Sequence, residues 1–177
     1  MKKYFRLFLF SLSVAASLCV NAADPTLEVY WIDSEGGGST LIVTPARESI
    51  LIDSGNPGMR DSTRIHKAAT EIAGLKKIDH YITTHFHIDH FGGAAELAAL
   101  MPIGQVYDNG IPEKDPDQRP DGAFWKKASQ PYRDFKADKR NVLHVGDEIK
   151  LKQSGKTKLT LRCVAAMQKF ISPPARP

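Results

Sequence analysis

The segment Thr84-His85-Phe86-His87-Ile88-Asp89-His90 decides the fold of this chain. It follows directly on a β-rich run, Ile78 to Thr83. In an extended chain, side chains two residues apart point to the same side. The imidazoles of His85 and His87 can therefore converge on one cation.

Asp89 and His90 come where the chain turns toward the next predicted helix, so they can face a second cation nearby. Neutral imidazole nitrogens and a carboxylate suit zinc, and also iron or manganese. The alternative is a polar loop with incidental histidines. Three histidines and an aspartate within six residues favour metal binding over that alternative.

The residues on both sides of this segment predict one mixed α/β domain, because β-rich runs and helical patterns alternate along the chain. Thr40 to Val43 and Ser49 to Ile52 form a predicted hairpin. Asp61 or Ser62 is predicted to cap the first helix. One apolar stripe at helical spacing then runs along that helix: Ile65, Ala68, Ala69, Ile72 and Leu75. The other predicted elements are strands over 27–32, 78–83 and 104–107 and a helix over 94–100.

The last third of the chain is polar and rich in proline. We predict a surface excursion over 110–141 with a short helix near 124–129. A final pair of strands is predicted over 142–151 and 159–165. The tail, 171–177, cannot continue a sheet because of its prolines and is predicted to be disordered.

The histidine-rich segment resembles the His-x-His-x-Asp-His signature of metallo-β-lactamase-fold hydrolases. Upstream, 51–55 (Leu-Ile-Asp-Ser-Gly) resembles the preceding strand and aspartate of that family. The segments 31–33, 36–38 and 40–42 resemble the opening hairpin of a subgroup that includes the hydrolase domain of competence-type DNA-uptake proteins. The signature is specific for the fold and not for the substrate.

The resemblance implies a partial αβ/βα sandwich, with a mixed sheet, flanking helices and the second half missing. It implies that His85 and His87 bind a first zinc ion and that Asp89 and His90 bind a second. Asp53 would sit behind these ligands, accept hydrogen bonds and orient a ligand. Asp89 would also orient the nucleophile or return a proton to the leaving group.

A two-metal member of the family would supply three further ligands downstream, two histidines and an aspartate. After His90 the only histidine in the sequence is His144, which we interpret as a surface or packing histidine. Asp147 is interpreted as a turn residue. The domain 23–170 therefore resembles the N-terminal half of such an enzyme. Whether the chain is an enzyme stays open. A metal-dependent hydrolase acting on an ester, amide or phosphodiester and a non-catalytic metal-binding fragment are both hypotheses.

The first 22 residues predict a signal peptide: a basic start, an apolar run and a small-residue ending, with cleavage after Ala22 or Ala23. We therefore expect a periplasmic or secreted protein with no membrane span after cleavage. Removing 1–22 takes away three basic residues and no acidic ones, so the net charge of +4 falls to +1. Two cysteines in 177 residues exclude a disulfide-dense scaffold.

The expected partner is a small-molecule substrate. A nucleic acid is the alternative, because the basic segment 124–140 interleaves lysines and arginines with aromatic residues. A charged run of this kind is more often a solvated face. The sequence does not specify an oligomeric state.

Overall fold

A computed structural model describes residues 26–172. The predicted signal peptide and nearly all of the predicted tail lie outside the described residues. Six strands form one mixed sheet in sequential order. The first three pair antiparallel and the last three continue in parallel. The strands are β1 (Glu28–Trp31), β2 (Thr40–Val43), β3 (Ser49–Ile52), β4 (Ile78–Ile82), β5 (Ile103–Asp108) and β6 (Lys139–Val142).

The helices pack on one face of the sheet. They are α1 (Arg60–Lys67), α2 (Ile88–Phe91), α3 (Ala94–Leu100) and α4 (Gly122–Asp134). Leu41, Leu51 and Tyr81 point from the strands into a buried core that they share with Ile65 and Leu97 of the helices. The α/β class with a mixed sheet and flanking helices is thereby confirmed, as are the predicted hairpin and the helix over 94–100.

The opposite face of the sheet meets the C-terminal segment. There β7 (Glu148–Ile149) pairs with β8 (Leu161–Arg162), and β9 (Ala165–Ala166) pairs with β10 (Lys169–Phe170). A cavity of about 250 Å³ lies between these short strands and the main sheet. The backbone amide of Lys152 donates to the buried Glu48 carboxylate at 2.7 Å, which ties this segment to the sheet.

The start of α1 differs from the prediction. Met59 precedes the helix without a side-chain cap, so the expected cap by Asp61 or Ser62 is wrong. The Asp61 carboxylate instead accepts the backbone N–H of Asn56 at 2.8 Å and so holds the preceding loop.

The apolar stripe of α1 also changes register. The helix continues as a π-helical turn over Ala68–Ile72, which places one extra residue in the turn. Ile72 is therefore 67% exposed, and Ala73 takes the buried position instead.

The predicted surface excursion is confirmed only for its first part, because 113–121 is an irregular and mostly exposed loop whereas the rest is not. Its helix, α4, is longer than expected and includes Pro131. Trp125 and Tyr132 lie seven residues apart on one face of α4 and are buried in the core. The chain then returns to the main sheet as β6, parallel to β5.

The predicted final strand pair is present only in part, because β7 and β8 contribute two residues each. Between residues 26 and 172, no helix combines the length and apolar composition needed to cross a membrane.

Candidate metal centre

The candidate centre lies where the parallel strands end. Asp53 follows β3, and His85 comes three residues after β4. The carboxyl ends of parallel strands meet at one edge of a sheet, which is the usual ligand edge in α/β folds. Asp53 has a left-handed backbone (φ 60°), a conformation that aspartate tolerates better than most residues. Its amide donates to the carbonyl of Ile82 at 2.8 Å, which extends the pairing of β3 with β4.

Three loops are joined by backbone hydrogen bonds at this edge. The amide of Gly38 donates to Asp89 O at 3.2 Å, that of Ser54 to His90 O at 2.7 Å and that of Gly55 to Gly38 O at 3.0 Å. The glycine-rich turn, the loop after β3 and the histidine-rich segment are therefore fixed relative to one another.

The first pair of donor atoms is formed by His85 Nε2 and His87 Nδ1, which lie 3.1 Å apart. The hydroxyl of Thr84 donates to Asp53 Oδ2 at 2.7 Å, so its oxygen can only accept from His85 Nδ1, 3.0 Å away. His87 Nε2 lies 2.8 Å from Asp117 Oδ1, an acceptor that requires a proton on this nitrogen. These proton positions are assigned from the hydrogen-bond partners. In the neutral rings, the two remaining lone pairs face each other.

Two facing lone pairs repel unless a cation lies between them. Zinc with tetrahedral bonds of about 2.0–2.1 Å places two ligand nitrogens about 3.3 Å apart. The observed 3.1 Å between His85 Nε2 and His87 Nδ1 is close to that distance. The donor set therefore fits a divalent metal ion.

The second pair is His90 Nε2 and Asp89 Oδ2, 3.7 Å apart. His90 Nδ1 donates to Asp53 Oδ2 at 2.8 Å, which leaves the Nε2 lone pair for a ligand. The rings of His85 and His90 have centroids 4.0 Å apart, so the two pairs adjoin. Within residues 26–172, no three histidine, cysteine, aspartate or glutamate side chains form one cluster able to hold a metal. Each of the two donor sets in this part of the chain therefore contains only two ligand side chains.

Burial, the neighbouring imidazole of His90 and then that of His87 lower the pKa of His85 below the ordinary histidine value. The neutral ring, which is the form that binds a metal, is thus favoured over the imidazolium.

Glycine is required where the first turn approaches the motif. A Cβ on Gly37 would lie 2.2 Å from Asp89 O, and one on Gly38 would lie 2.9 Å from His90 Nδ1. Their close approach shows that they contact the motif directly.

Two residues at this centre were missed by the sequence reasoning. Thr84 links Asp53 to His85, and its position next to the motif is a signal that could have been used. Asp117 reaches His87 from the loop before α4, 30 residues away in sequence, and no spacing rule predicts that contact. His144 is 78% exposed and contacts Asp147, so the structure does not bring it to the centre.

The basic segment 124–140 does not offer a row of free aromatic faces. Trp125 and Tyr132 are buried, and the guanidinium of Arg140 lies 4.3 Å from the ring centroid of Phe135. Two of the aromatic rings are thus buried and a third is covered by Arg140, which fits a solvated face better than a surface that stacks bases.

Comparisons with known proteins identify the family of this chain. A family model described as the metallo-beta-lactamase superfamily matches residues 33–157. A UPF0173 metal-dependent hydrolase of Cupriavidus necator is 32% identical over 92 residues, which cover 50% of this chain and 29% of that protein. A UPF0173 metal-dependent hydrolase of Cupriavidus metallidurans is 32% identical over 76 residues, covering 43% of this chain and 24% of that protein. The chain thus spans less than a third of these relatives.

Among solved structures, a subclass B3 metallo-beta-lactamase isolated from a soil metagenome library superposes with a TM-score of 0.43 at 21% identity. The superposition covers 70% of this chain and 46% of that one.

Proposed function

Because this chain belongs to the metallo-beta-lactamase superfamily, we propose that it acts as a metal-dependent hydrolase. The observation that carries the proposal is the 3.1 Å approach of two imidazole nitrogens, His85 Nε2 and His87 Nδ1, whose protons are held on the opposite sides of their rings. The named UPF0173 relatives are metal-dependent hydrolases by description, which supports the same activity.

The residues of the candidate centre would have different roles. His85 and His87 would hold a first metal ion, and Asp89 and His90 a second, with zinc proposed and iron or manganese as alternatives. When bound, such ions lower the pKa of water and polarise an oxygen of the substrate. Asp53 fixes the proton of His90 on Nδ1 and so keeps Nε2 available. Asp89 would orient the attacking water or return a proton to the leaving group.

We propose a small-molecule substrate with an ester, amide or phosphodiester bond. The buried and self-covered aromatic rings of the basic segment 124–140 favour this class over a nucleic acid. The resemblance of the opening hairpin to competence-type proteins stays a prediction, and so does a nuclease-like activity.

A second function has its own observation. Each donor set among the described residues contains only two ligand side chains, whereas catalytic zinc usually has three protein ligands. A non-catalytic chain that binds metal weakly is therefore the competing proposal.

We also propose that the protein is exported. The support is the sequence of residues 1–22, with Lys2, Lys3 and Arg6 before an apolar run that ends in Ala22.

The test combines zinc binding with turnover of an ester, an amide and a phosphodiester. We expect zinc-dependent hydrolysis of one class, lost in His87→Ala and kept in His144→Ala, a matched control because His144 is exposed and pairs with Asp147. Zinc binding without turnover of any class would support the non-catalytic alternative. Turnover that survives both His87→Ala and chelation would contradict the hydrolase proposal.

A further inference from the structure

The loop between β5 and α4 carries a carboxylate to the metal centre. Asp117 Oδ1 lies 2.8 Å from His87 Nε2, the ring nitrogen that faces away from His85. We propose that Asp117 is a positioning residue: it holds His87 with the proton on Nε2 and the Nδ1 lone pair aimed at the first metal position. This inference rests on the proposed function, because it concerns how that site is prepared for metal.

The two oxygens of Asp117 have separate partners. Oδ2 pairs with Nη2 of Arg119, which leaves Oδ1 for His87. The guanidinium of Arg119 also lies 4.6 Å from the ring centroid of Phe124. The carboxylate is thus held from one side and directed toward the imidazole on the other.

The loop itself is anchored by its own hydrogen bonds. The side chain of Asp115 is only 4% exposed and accepts the backbone N–H of Asp117 at 2.9 Å and Nη1 of Arg119 at 3.0 Å. Further back, the carbonyl of Pro112 accepts Nε1 of the buried Trp125 at 3.0 Å. An ordinary surface ion pair lacks such supports, because both of its side chains rotate freely.

This arrangement has a consequence for metal affinity. A histidine ligand whose outer nitrogen donates to a carboxylate has a fixed tautomer and ring orientation, and loss of such a partner costs about 10–100-fold in metal affinity. His87 is half exposed, so without Asp117 little else in its surroundings would hold the ring. The first donor pair, His85 Nε2 and His87 Nδ1, would then have to be ordered by the metal itself.

Zinc affinity, measured by competition with a chromophoric chelator, is the first test. We expect Asp117→Ala to weaken the tighter-binding event about 10–100-fold, with partial rescue in Asp117→Asn, whose amide oxygen can still accept the Nε2 proton. Glu113→Ala removes an exposed carboxylate from the same loop and should leave affinity unchanged. In a double-mutant cycle, Asp117→Ala should have no further effect once His87 is alanine. The inference would be overturned if Asp117→Ala weakened zinc affinity equally with histidine and with alanine at position 87, or if it did not weaken zinc affinity at all.

The second test does not depend on metal. Ring ¹⁵N shifts of the metal-free protein at about pH 8, above the ordinary histidine pKa, report the tautomer of His87. We expect a uniformly Nε2-protonated ring in the wild type and in Glu113→Ala, and tautomer-averaged shifts in Asp117→Ala. Identical shifts in all three proteins would overturn the inference even if zinc binds. A wild type that binds no zinc but shows the expected shifts would contradict the proposed function and leave the role of Asp117 in place.

Discussion

Gly38→Ala tests the second donor pair through a single added methyl group. Gly38 does not have a left-handed backbone, so alanine is allowed there and any effect must be steric. Its Cβ would lie 2.9 Å from His90 Nδ1 and 3.0 Å from Asp53 Oδ2, whereas ordinary van der Waals contact begins at 3.4 Å. The methyl group would therefore enter the space of the 2.8 Å hydrogen bond that joins these two atoms.

The expected cost follows from that geometry. Imidazole and carboxylate must each move by about half an ångström, which breaks or greatly lengthens a hydrogen bond to a charged group worth about 1.5–3 kcal/mol. Losing such support behind a ligand lowers metal affinity about 10–100-fold, equivalent to about 1.4–2.7 kcal/mol. Asp53 Oδ1, on the other side of the carboxylate, still accepts the backbone N–H of Thr84, so we expect the fold to persist.

The assay is zinc titration with stoichiometry, run beside thermal unfolding. We expect the wild type to bind near two equivalents and Gly38→Ala to keep the tighter site and weaken the other. Gly122→Ala is the matched control, because its Cβ meets nothing within 4 Å at the start of α4. Two equivalents bound to Gly38→Ala with wild-type affinity would refute the reasoning.

Three further predictions concern stability. Tyr132→Phe removes a buried hydroxyl that donates to Asp108 at 3.0 Å and should lower the free energy of unfolding in urea by about 1–3 kcal/mol; an unchanged midpoint would contradict this. Burial alone would raise the pKa of Asp61, but hydrogen bonds from Arg60 and from the amide of Asn56 hold this pKa below its ordinary value. Because the folded pKa is the lower one, this stabilisation is present above about pH 4 and is lost as pH falls further, so the acid unfolding curve of Asp61→Asn should be flatter there than that of the wild type. Removing bound zinc with a chelator should lower the melting temperature, since free zinc at about 100 times its Kd stabilises the folded protein by about 2.7 kcal/mol. Equal melting temperatures with and without chelator would count against metal binding.

The strands and the histidine-rich segment were predictable because their signals are local. β-branched residues in short runs predict the hairpin of β2 and β3, and the spacing of His85 and His87 predicts convergence at the end of β4. The family match over 33–157 confirms the fold class that this motif indicated.

The remaining features depend on interactions that sequence patterns do not encode. The π-helical turn at 68–72 changes which residue of α1 is buried, although the apolar periodicity continues through Ile72. The polar residues around Pro131 indicated a surface segment, but they belong to α4, an amphipathic helix whose buried residues include Trp125 and Tyr132. The contact of Asp117 with His87 joins residues 30 positions apart, and no local spacing pattern predicts it.

X-ray absorption at the zinc edge, on protein loaded with one equivalent, tests the central claim most directly. The account predicts scattering from two imidazole nitrogens at about 2.0–2.1 Å, and a weaker imidazole signal when His85 and His87 are both replaced by alanine, because only His90 then remains. Zinc surrounded only by oxygen in the wild type, or an unchanged imidazole signal in the double variant, would contradict it.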